Sequence, residues 1–361
     1  MKTLSTFYQG KKVLITGNTG FKGAWLSQLL LSFGASVSGL ALEPNTEPNL
    51  FSTLGLRETC KTHIGDIRDP KIVEQAIDEE EPEIIFHLAA QPLVRDSYDN
   101  PRYTFETNLL GTLNVLEAVR RKDFVKAVVI ITTDKVYKNK EAEEGYTEKE
   151  ELGGYDPYSA SKVCVEFIAE SYKNAFFNPE RNPSCLICTA RAGNVIGGGD
   201  WSKDRLIPDI IKSVFETKDK TIIRSPKAIR PWQHVLEPLS GYLLLGKRLW
   251  KGDKTTVGAW NFAPERENMI TVEKLLKKGI DILGQGSYIV NEATQDKKHE
   301  TTILRLDATK AKEALSWKPN LSIDKTLQLT FSWYKTFYTD REMIKQETMQ
   351  QITSFFGEKG P

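Results

Sequence analysis

The stretch "KVLITGNTGFKG", Lys12 to Gly23, decides how the chain folds. An apolar, β-branched run typical of a buried strand ends in a turn that carries glycine at positions 17, 20 and 23. The first glycine permits the tight turn, the second lets a pyrophosphate approach the backbone, and the third lets the following helix pack on the strand. The segment therefore predicts a strand, a phosphate-binding turn and a helix that together hold a dinucleotide.

Strand-like and helix-like segments alternate from this turn to about residue 191. The predicted helices are 21–33, 70–76, 101–120 and 157–172. The predicted strands are 12–16, 35–42, 60–66, 83–90, 127–133 and 184–191. Short β-branched strands separated by helices indicate a parallel sheet covered on both faces. The predicted fold class is α/β, a doubly wound Rossmann-like parallel sheet with a smaller C-terminal substrate domain.

The alternation weakens after Arg191, which suggests a division into two domains. Loops rich in glycine and tryptophan mix there with helices and one further strand-like piece, "AWNFAP" at 259–264. We expect a dinucleotide-binding domain at 1–190, to which about 230–262 return, and a mainly substrate-binding domain at 191–361. The last twenty residues suggest a helix with a fraying end.

Composition excludes several classes of partner. The 361 residues include 49 lysines and arginines against 48 aspartates and glutamates, and this balance favours neither a nucleic acid nor a membrane surface. The chain start has no apolar signal-peptide core, and no apolar run approaches the roughly 20 residues of a membrane span. We expect a cytoplasmic protein. The spacing of Cys185 and Cys188 fits a metal or redox pair, but their apolar surroundings favour core packing and no metal.

Two positions bear on which dinucleotide is bound. The end of the second strand, where an acidic residue often contacts the adenine-side ribose, is apolar in "GLALEPN", and the nearest carboxylate, Glu43, comes late and is typical of a solvated loop. This feature therefore leaves NAD and NADP undecided. Asp66, after the third strand, suits either an adenine contact or a helix cap before Pro70.

The segment "YSASK" places Tyr158 and Lys162 four residues apart, on one face of a predicted helix. An unperturbed tyrosine titrates near pH 10, and a lysine one turn away together with a cationic nicotinamide favours the phenolate. Tyr158 is therefore a candidate general base. Thr133, at the end of the fifth strand, is positioned to hydrogen-bond a substrate hydroxyl beside it. Asp134 and Lys135 follow it, and two charges at the end of a buried strand call for an explanation.

These motifs in this order resemble the extended short-chain dehydrogenase/reductase family. They are the glycine triplet, "HLAAQ", "TTDK", "YSASK", "ARAGNVIGGGD" and "RPWQHV". Within the family the chain is most similar to the nucleotide-sugar 4,6-dehydratases, and in particular to those that act on CDP-D-glucose. The nucleotide base rests on this resemblance alone. The resemblance implies NAD as cofactor and a sugar nucleotide as substrate, with conversion of glucose to a 4-keto-6-deoxy sugar.

The resemblance also implies roles for individual residues. The catalytic group would be Thr133, Asp134, Lys135, Tyr158 and Lys162, with Asp134 as the acid for the departing 6-hydroxyl. Cofactor contacts would come from Tyr158 and Lys162 and from Gly17, Asn18, Thr19, Gly20, Phe21, Lys22, Gly23, Asp66, Ile67, Leu88, Ala89, Ala90, Gln91 and Thr107. Substrate contacts would come from Gln91, Asn194, Arg205 and Arg230, and from Arg95 and His299, for each of which a solvated loop position is an equally good interpretation.

Lys135 departs from the related dTDP-glucose enzymes, which have a glutamate at this position as the base for C5. Lys135 is then either a neutral amine that takes the C5 proton, or a cation that stabilises the enolate while another group takes it. A third interpretation is a strand-end lysine that only pairs with Asp134.

Two other functions fit parts of the pattern. An epimerase or reductase of the same family would have no use for an acid beside the 6-hydroxyl. A catalytically silent, NAD-sensing regulator would have no use for Tyr158 and Lys162. The long predicted helices after Pro101 and Pro157 suggest a homodimer or homotetramer whose subunits meet across a two-fold axis.

Overall fold

The computed structural model describes residues 2–140, 144–181, 183–223, 225–290 and 304–357. Its strands are β1 Lys12–Thr16, β2 Ser36–Ala41, β3 Lys61–Ile64, β4 Ile84–His87, β5 Ala127–Ile131, β6 Leu186–Ala192, β7 Val195–Ile196, β8 Thr221–Ile223, β9 Ile229–Pro231, β10 Gln233–His234, β11 Gly258–Phe262, β12 Met269–Thr271 and β13 Tyr288–Val290.

The α-helices are α1 Lys2–Tyr8, α2 Phe21–Ser32, α3 Leu50–Thr53, α4 Leu56–Thr59, α5 Pro70–Glu80, α6 Val94–Asp99, α7 Pro101–Phe105, α8 Gly111–Val119, α9 Pro157–Ala175, α10 Leu206–Ile211, α11 Leu236–Trp250, α12 Val272–Leu283, α13 Thr309–Leu315, α14 Ile323–Thr339 and α15 Ile344–Gly357. Among these described helices, none is both long enough and apolar enough to cross a bilayer.

Seven parallel strands form the central sheet in the order β11-β6-β5-β4-β1-β2-β3. The chain runs outward from β1 to β3 and then returns to the other side of β1 with β4, so the strand order reverses between β1 and β4. Ligands of such sheets bind beyond the carboxyl ends of the strands at that reversal. The predicted α/β fold class with a doubly wound parallel sheet is confirmed.

The sheet is buried on both faces, as its apolar strands require. Alternate residues of β5 face opposite ways: Val129 packs in one core with α2, α11 and α14, whereas Val128 packs in the other with α5, α8 and α9. Cys188 lies in the first core and Cys185 in the second, and burial raises the pKa of both thiols. The two thiols of the CxxC sequence therefore point away from each other.

Several boundaries differ from the prediction. The helix predicted at 70–76 continues to Glu80, and its N-cap is Asp69, which accepts from the Lys71 amide. Of the two interpretations of Asp66, the helix cap was therefore wrong. The helix predicted at 101–120 contains a π-helical turn over Glu106–Leu110 between α7 and α8. The C-terminal helix is confirmed over Ile344–Gly357, and the end predicted to fray lies outside the described residues.

The strand content after Arg191 was underestimated. "AWNFAP" is confirmed as β11, which pairs with β6 at the edge of the central sheet. The described residues also contain the short ladders β7–β10, β9–β12 and β8–β13, where one further strand was expected. Strands of two or three residues are too short to show a hydrophobic period, so the pattern could not reveal them.

A buried polar network holds β5, β6 and α9 together below the carboxyl ends of the strands. Arg191 donates from Nε and Nη2 to the two carboxylate oxygens of Glu166, at 2.8 and 2.9 Å. Thr132 and Thr189 donate to the same carboxylate at 2.6 and 2.7 Å, and Arg191 also donates to the hydroxyl of Tyr137. Because both charges are buried and fully hydrogen-bonded, losing one partner leaves the other uncompensated.

We therefore expect Arg191→Met to lower the free energy of unfolding by about 3–5 kcal/mol, the usual cost of breaking a buried ion pair. The exposed pair of Lys12 and Glu81 offers a matched control, and Lys12→Met should cost about 1 kcal/mol or less. Urea denaturation followed by tryptophan fluorescence measures both. Equal losses in the two variants would show that the buried network contributes no more than a surface pair.

Candidate active site

A cavity of about 880 Å³ opens beyond the carboxyl ends of β5 and β6. Its walls come from both halves of the chain: the first turn of α2, the segment after β5, the start of α9, the loop after β6, and α10 and β9. The volume suits a ligand larger than a simple sugar. Of the predicted site residues, the cavity lining contains Phe21, Lys22, Arg95, Thr133, Asp134, Lys135, Tyr158, Asn194, Arg205 and Arg230.

The residues after β5 form a tight hydrogen-bonded unit. Thr133 caps a 3₁₀ turn over Asp134–Val136, and its hydroxyl donates to Oδ1 of Asp134 at 2.9 Å. The ammonium of Lys135 lies 3.3 Å from the same oxygen. Asp134 is buried, whereas 38 % of the Lys135 side chain is exposed. The two charges at the strand end therefore pair with each other and face the cavity.

Helix α9 brings Tyr158 and Lys162 to this unit. The helix begins with Asp156 as N-cap, which accepts from the Ser159 amide at 2.9 Å, and with Pro157 in its first turn. The amine of Lys162 donates to the carbonyl oxygen of Ile131, the last residue of β5, at 3.0 Å. The structure thus joins the two motifs that the sequence placed on different elements.

Burial and neighbouring charges shift the pKa values of three side chains in the site. Burial raises the pKa of Tyr158, while the Lys135 ammonium and a hydrogen bond with Thr133 lower it. Burial and the nearby charge of Lys22 lower the pKa of Lys162 to about 7. Burial and the charge of Arg205 lower the pKa of Lys22 to about 8. Two lysines and one tyrosine with shifted pKa values therefore lie at or beside the cavity, as is typical of functional sites.

The part of the cavity wall that comes from the chain after β6 carries guanidinium groups. Arg205 donates to Asp200 at 2.9 Å, and Asp200 is held in turn by the Ser202 amide and by Tyr334 of α14. Arg230 lies on β9, where its Nη1 donates to the carbonyl oxygen of Ile229. Arginines on this wall can bind phosphate oxygens at two points each.

Two further predicted substrate residues also lie in the lining. Arg95 of α6 pairs with Asp204 at 3.3 Å. Asn194 adopts a left-handed conformation, with φ of 49°, in the loop between β6 and β7. His299 lies outside the described residues.

The turn after β1 fits a dinucleotide. Gly17 has φ of +76°, which residues with a side chain rarely adopt, and a methyl group at Gly23 would overlap the carbonyl oxygen of Gly17. Helix α2 begins at Gly20 without a side-chain cap, so its first amides remain available to an anion. Asn18 points into the fold, where it donates to Thr62 at 2.8 Å, and the Thr19 hydroxyl donates to the carbonyl oxygen of Leu42.

The remaining predicted cofactor residues are not part of the cavity lining. Gln91 is buried, and its side chain holds Thr104 and the backbone of Leu93. Thr107 is also buried, and its hydroxyl has no hydrogen-bond partner among the described residues. The Ala89 amide donates to the hydroxyl of Thr16, which fixes the segment Leu88–Ala90 against β1.

At the expected adenine end, the surface carboxylates are paired. Asp66 pairs with Arg68, and Ile67 packs beneath Gly111. Glu43, interpreted from sequence as a solvated loop residue, pairs with Arg57 on the surface.

Sequence reasoning missed several residues that the structure places at or under the site. Asp200 holds Arg205, and Gly193 lies against Asp134. Glu166 lies one helical turn after Lys162 and anchors α9 to β6. Asp200 and Gly193 stand in the quoted segment "ARAGNVIGGGD", but nothing in that pattern assigns contacts to individual residues. Only the folded chain shows these pairings.

The fold is shared with solved structures of known proteins. The crystal structure of UDP-glucose 4-epimerase from Thermus thermophilus in complex with NAD superposes with a TM-score of 0.74 at 24 % identity, covering 90 % of this chain and 98 % of that one. At this identity the likeness shows the fold alone.

Sequence comparison is more specific. The chain is 47 % identical over 341 residues to CDP-glucose 4,6-dehydratase of Salmonella typhimurium strain LT2, covering 94 % of each chain. It is 26 % identical to dTDP-glucose 4,6-dehydratase of Xanthomonas campestris pv. campestris strain B100, covering 90 % of this chain and 93 % of that one. Residues 14–330 match the model of the GDP-mannose 4,6 dehydratase family. The chain belongs to this family, in agreement with the sequence resemblance.

Proposed function

We propose that the protein converts CDP-D-glucose to CDP-4-keto-6-deoxyglucose and water, with NAD as a cofactor that is regenerated in each turnover. The observation that carries the proposal is the meeting of two motifs in one cavity. Thr133, Asp134 and Lys135 after β5 line the same cavity as Tyr158 of α9, and Lys162 of that helix is bonded to the last residue of β5. The similarity to CDP-glucose 4,6-dehydratase supports the choice of cytidine as base and glucose as sugar.

The glycine-rich turn and the start of α2 would hold the dinucleotide. Gly17 and Gly23 shape the turn, and the free amides at the start of α2 suit its pyrophosphate. When bound, NAD supplies a hydride acceptor that takes hydrogen from C4 of the sugar and later returns it to C6. Thr107 and the backbone of Ala89 and Ala90 would lie along it.

Oxidation at C4 requires a base for the 4-hydroxyl. Tyr158 takes this proton as a phenolate, and Thr133 positions the hydroxyl group beside it. Burial raises the pKa of Tyr158, and the cations of Lys135 and Arg205 counteract this effect in part by favouring the phenolate. The product of this step is a 4-ketone, which acidifies the hydrogen on C5.

Elimination requires a base at C5 and an acid at C6. A base, either Lys135 as a neutral amine or another group, takes the C5 proton, the C6–oxygen bond breaks, and Asp134 in its protonated form gives its proton to the departing hydroxyl, so that water and a 4-keto-5,6-ene result. Hydride addition at C6 and protonation at C5 complete the 4-keto-6-deoxy sugar. Lys135, beside Asp134, either takes the C5 proton or stabilises the enolate.

The cationic wall would bind the diphosphate. Arg205, Arg230 and Asn194 line the same cavity as Thr133, Asp134, Lys135 and Tyr158. Lys22 adds a further positive charge near Arg205. In this arrangement the dinucleotide contacts mainly residues 1–190, whereas the sugar nucleotide contacts mainly residues 191–361.

Incubation of the purified protein with CDP-, dTDP-, GDP- and UDP-glucose tests the proposal. We expect CDP-glucose to yield a 4-keto-6-deoxy product, which is detected by its ultraviolet absorbance in alkali, and the other three to yield little. Turnover of a different nucleotide sugar would show that the nucleotide base is not cytosine. Formation of an epimerised sugar without loss of water would indicate an epimerase. Cofactor binding without any product would indicate a catalytically silent regulator.

Tyr158→Phe should lower the rate of hydride transfer by about 10²–10⁴-fold, the usual range for loss of a general base. Binding of CDP-glucose should change little, because the ring remains and only the hydroxyl is lost. Single-turnover absorbance of the reduced nicotinamide gives the rate, and calorimetry gives the affinity. Near-normal hydride transfer in this variant would mean that another group is the base.

Asp134→Asn and Lys135→Ala should separate the two halves of the reaction. Both variants keep Thr133, Tyr158 and Lys162, so CDP-glucose should still reduce the bound cofactor. Both should then stall with the 4-keto-glucose intermediate, because the introduced asparagine carries no transferable acid proton and Lys135→Ala removes the amine. Rapid quench and mass spectrometry detect the intermediate.

Exchange of the C5 hydrogen with deuterated water distinguishes the roles of Lys135. Lys135→Arg keeps the cation but provides no base, so slow exchange in both Lys135→Ala and Lys135→Arg indicates proton transfer. Slow exchange in Lys135→Ala alone indicates enolate stabilisation. Wild-type exchange and elimination in Lys135→Ala would leave Lys135 only as the ion-pair partner of Asp134.

We infer that the subunits associate as a homodimer or homotetramer through α8 and α9. Leu110 just before α8, Phe167 within α9 and Phe176 just after α9 are 46 %, 60 % and 51 % exposed. Large exposed apolar side chains grouped on neighbouring helices are typical of an interface.

Phe167→Glu should therefore reduce the mass measured by light scattering to that of one chain, because a charge would be buried in the interface. The substitution Met343→Glu, at another exposed apolar residue, is the matched control and should leave the mass unchanged. An unchanged mass in Phe167→Glu would place the interface elsewhere, and a single-chain mass in the wild type would exclude association.

A further inference from the structure

Gly193 is a glycine at a place where the backbone does not require one. It follows β6 and is not among the glycines with positive φ, so its conformation is open to other residues. A methyl group at this position would, however, overlap Oδ2 and Cγ of Asp134 and lie 2.8 Å from Oδ1. The carboxyl group of Asp134 thus occupies the space that a side chain at position 193 would fill.

The backbone at Gly193 is held in place from the opposite side. Gln233 of β10 donates through its side-chain amide to the carbonyl oxygens of Gly193 and Phe262, at 3.0 and 3.1 Å. Its main-chain amide donates to the carbonyl oxygen of Asn194 at 3.2 Å. Gln233 is itself buried. Because these bonds prevent the loop from retreating, added volume at Gly193 has to be accommodated by Asp134.

Asp134 is held at only one of its two oxygens. Oδ1 accepts from Thr133 and lies beside the Lys135 ammonium. Oδ2 is buried and has no hydrogen-bond partner among the described residues. It is the oxygen that lies over Gly193, so contact with the glycine, and no hydrogen bond, defines its position.

We propose that Gly193 is a positioning residue that seats the carboxyl group of Asp134 for elimination at C5 and C6, and that this step requires the absence of a side chain there. The inference rests on the proposed function, in which Asp134 is the acid. It assigns Gly193 no part in oxidation at C4, because the three atoms nearest to the space above it all belong to Asp134.

Gly193→Ala should therefore split the reaction. CDP-glucose should reduce the bound cofactor within about threefold of the wild-type rate, whereas elimination should slow by about 10²-fold or more, the range for losing a positioned acid. The 4-keto-glucose intermediate should accumulate. A general loss of structure would instead depress both steps together.

The double variant Asp134→Ala, Gly193→Ala tests whether Gly193→Ala slows elimination by displacing Asp134. With the carboxyl group removed, the added methyl group has nothing to displace. The double variant should then eliminate at the rate of Asp134→Ala within about twofold, and should regain the melting temperature that Gly193→Ala loses. The melting temperature remains informative even where Gly193→Ala is too unstable to assay.

Two results would overturn the proposal. One is wild-type elimination by Gly193→Ala, and the other is a further tenfold loss of elimination or a further fall in melting temperature when Gly193→Ala is added to Asp134→Ala. The wild-type arm of the same assay tests the proposed function separately, since failure of the wild type to dehydrate CDP-glucose refutes that function whatever the variants do.

Discussion

One hydrogen bond sets the geometry of the site: the amine of Lys162 donates to the main-chain carbonyl oxygen of Ile131. It joins the first turns of α9 to the last residue of β5, so a residue of the helix and a residue beyond the strand end come to face the same space. A lysine held in this way is taken out of water, and its pKa falls to about 7. The site is therefore built on an amine whose charge responds to whatever binds beside it.

A buried ion pair below the site makes this arrangement rigid. Glu166, one turn further along α9, binds Arg191 of β6 and the hydroxyls of Thr132, just after β5, and of Thr189, in the middle of β6. Since the pair is buried and fully hydrogen-bonded, α9 cannot slide along the sheet without breaking several charged bonds at once. The strand ends, the helix and the cavity wall thus form one unit.

Much of the fold and part of the site could be predicted from sequence. The alternation of short apolar strands with helices fixed the sheet, and the four-residue spacing placed Tyr158 and Lys162 on one helix face. Thr133 could be placed because it ends a buried strand. The short strands after Arg191 could not be predicted, since two or three residues carry no period. Nor could the contact of Gly193 with Asp134, because it depends on the spacing of two strand ends in three dimensions.

The central claim is that hydrogen leaves C4 and returns to C6 of the same sugar within one cavity. The most direct measurement uses CDP-glucose carrying deuterium at C4, with the product analysed by proton and deuterium NMR. The account predicts one deuterium in the C6 methyl group of the 4-keto-6-deoxy product, with none exchanged into water. Deuterium retained at C4, or lost to solvent with an unlabelled methyl group, would contradict it.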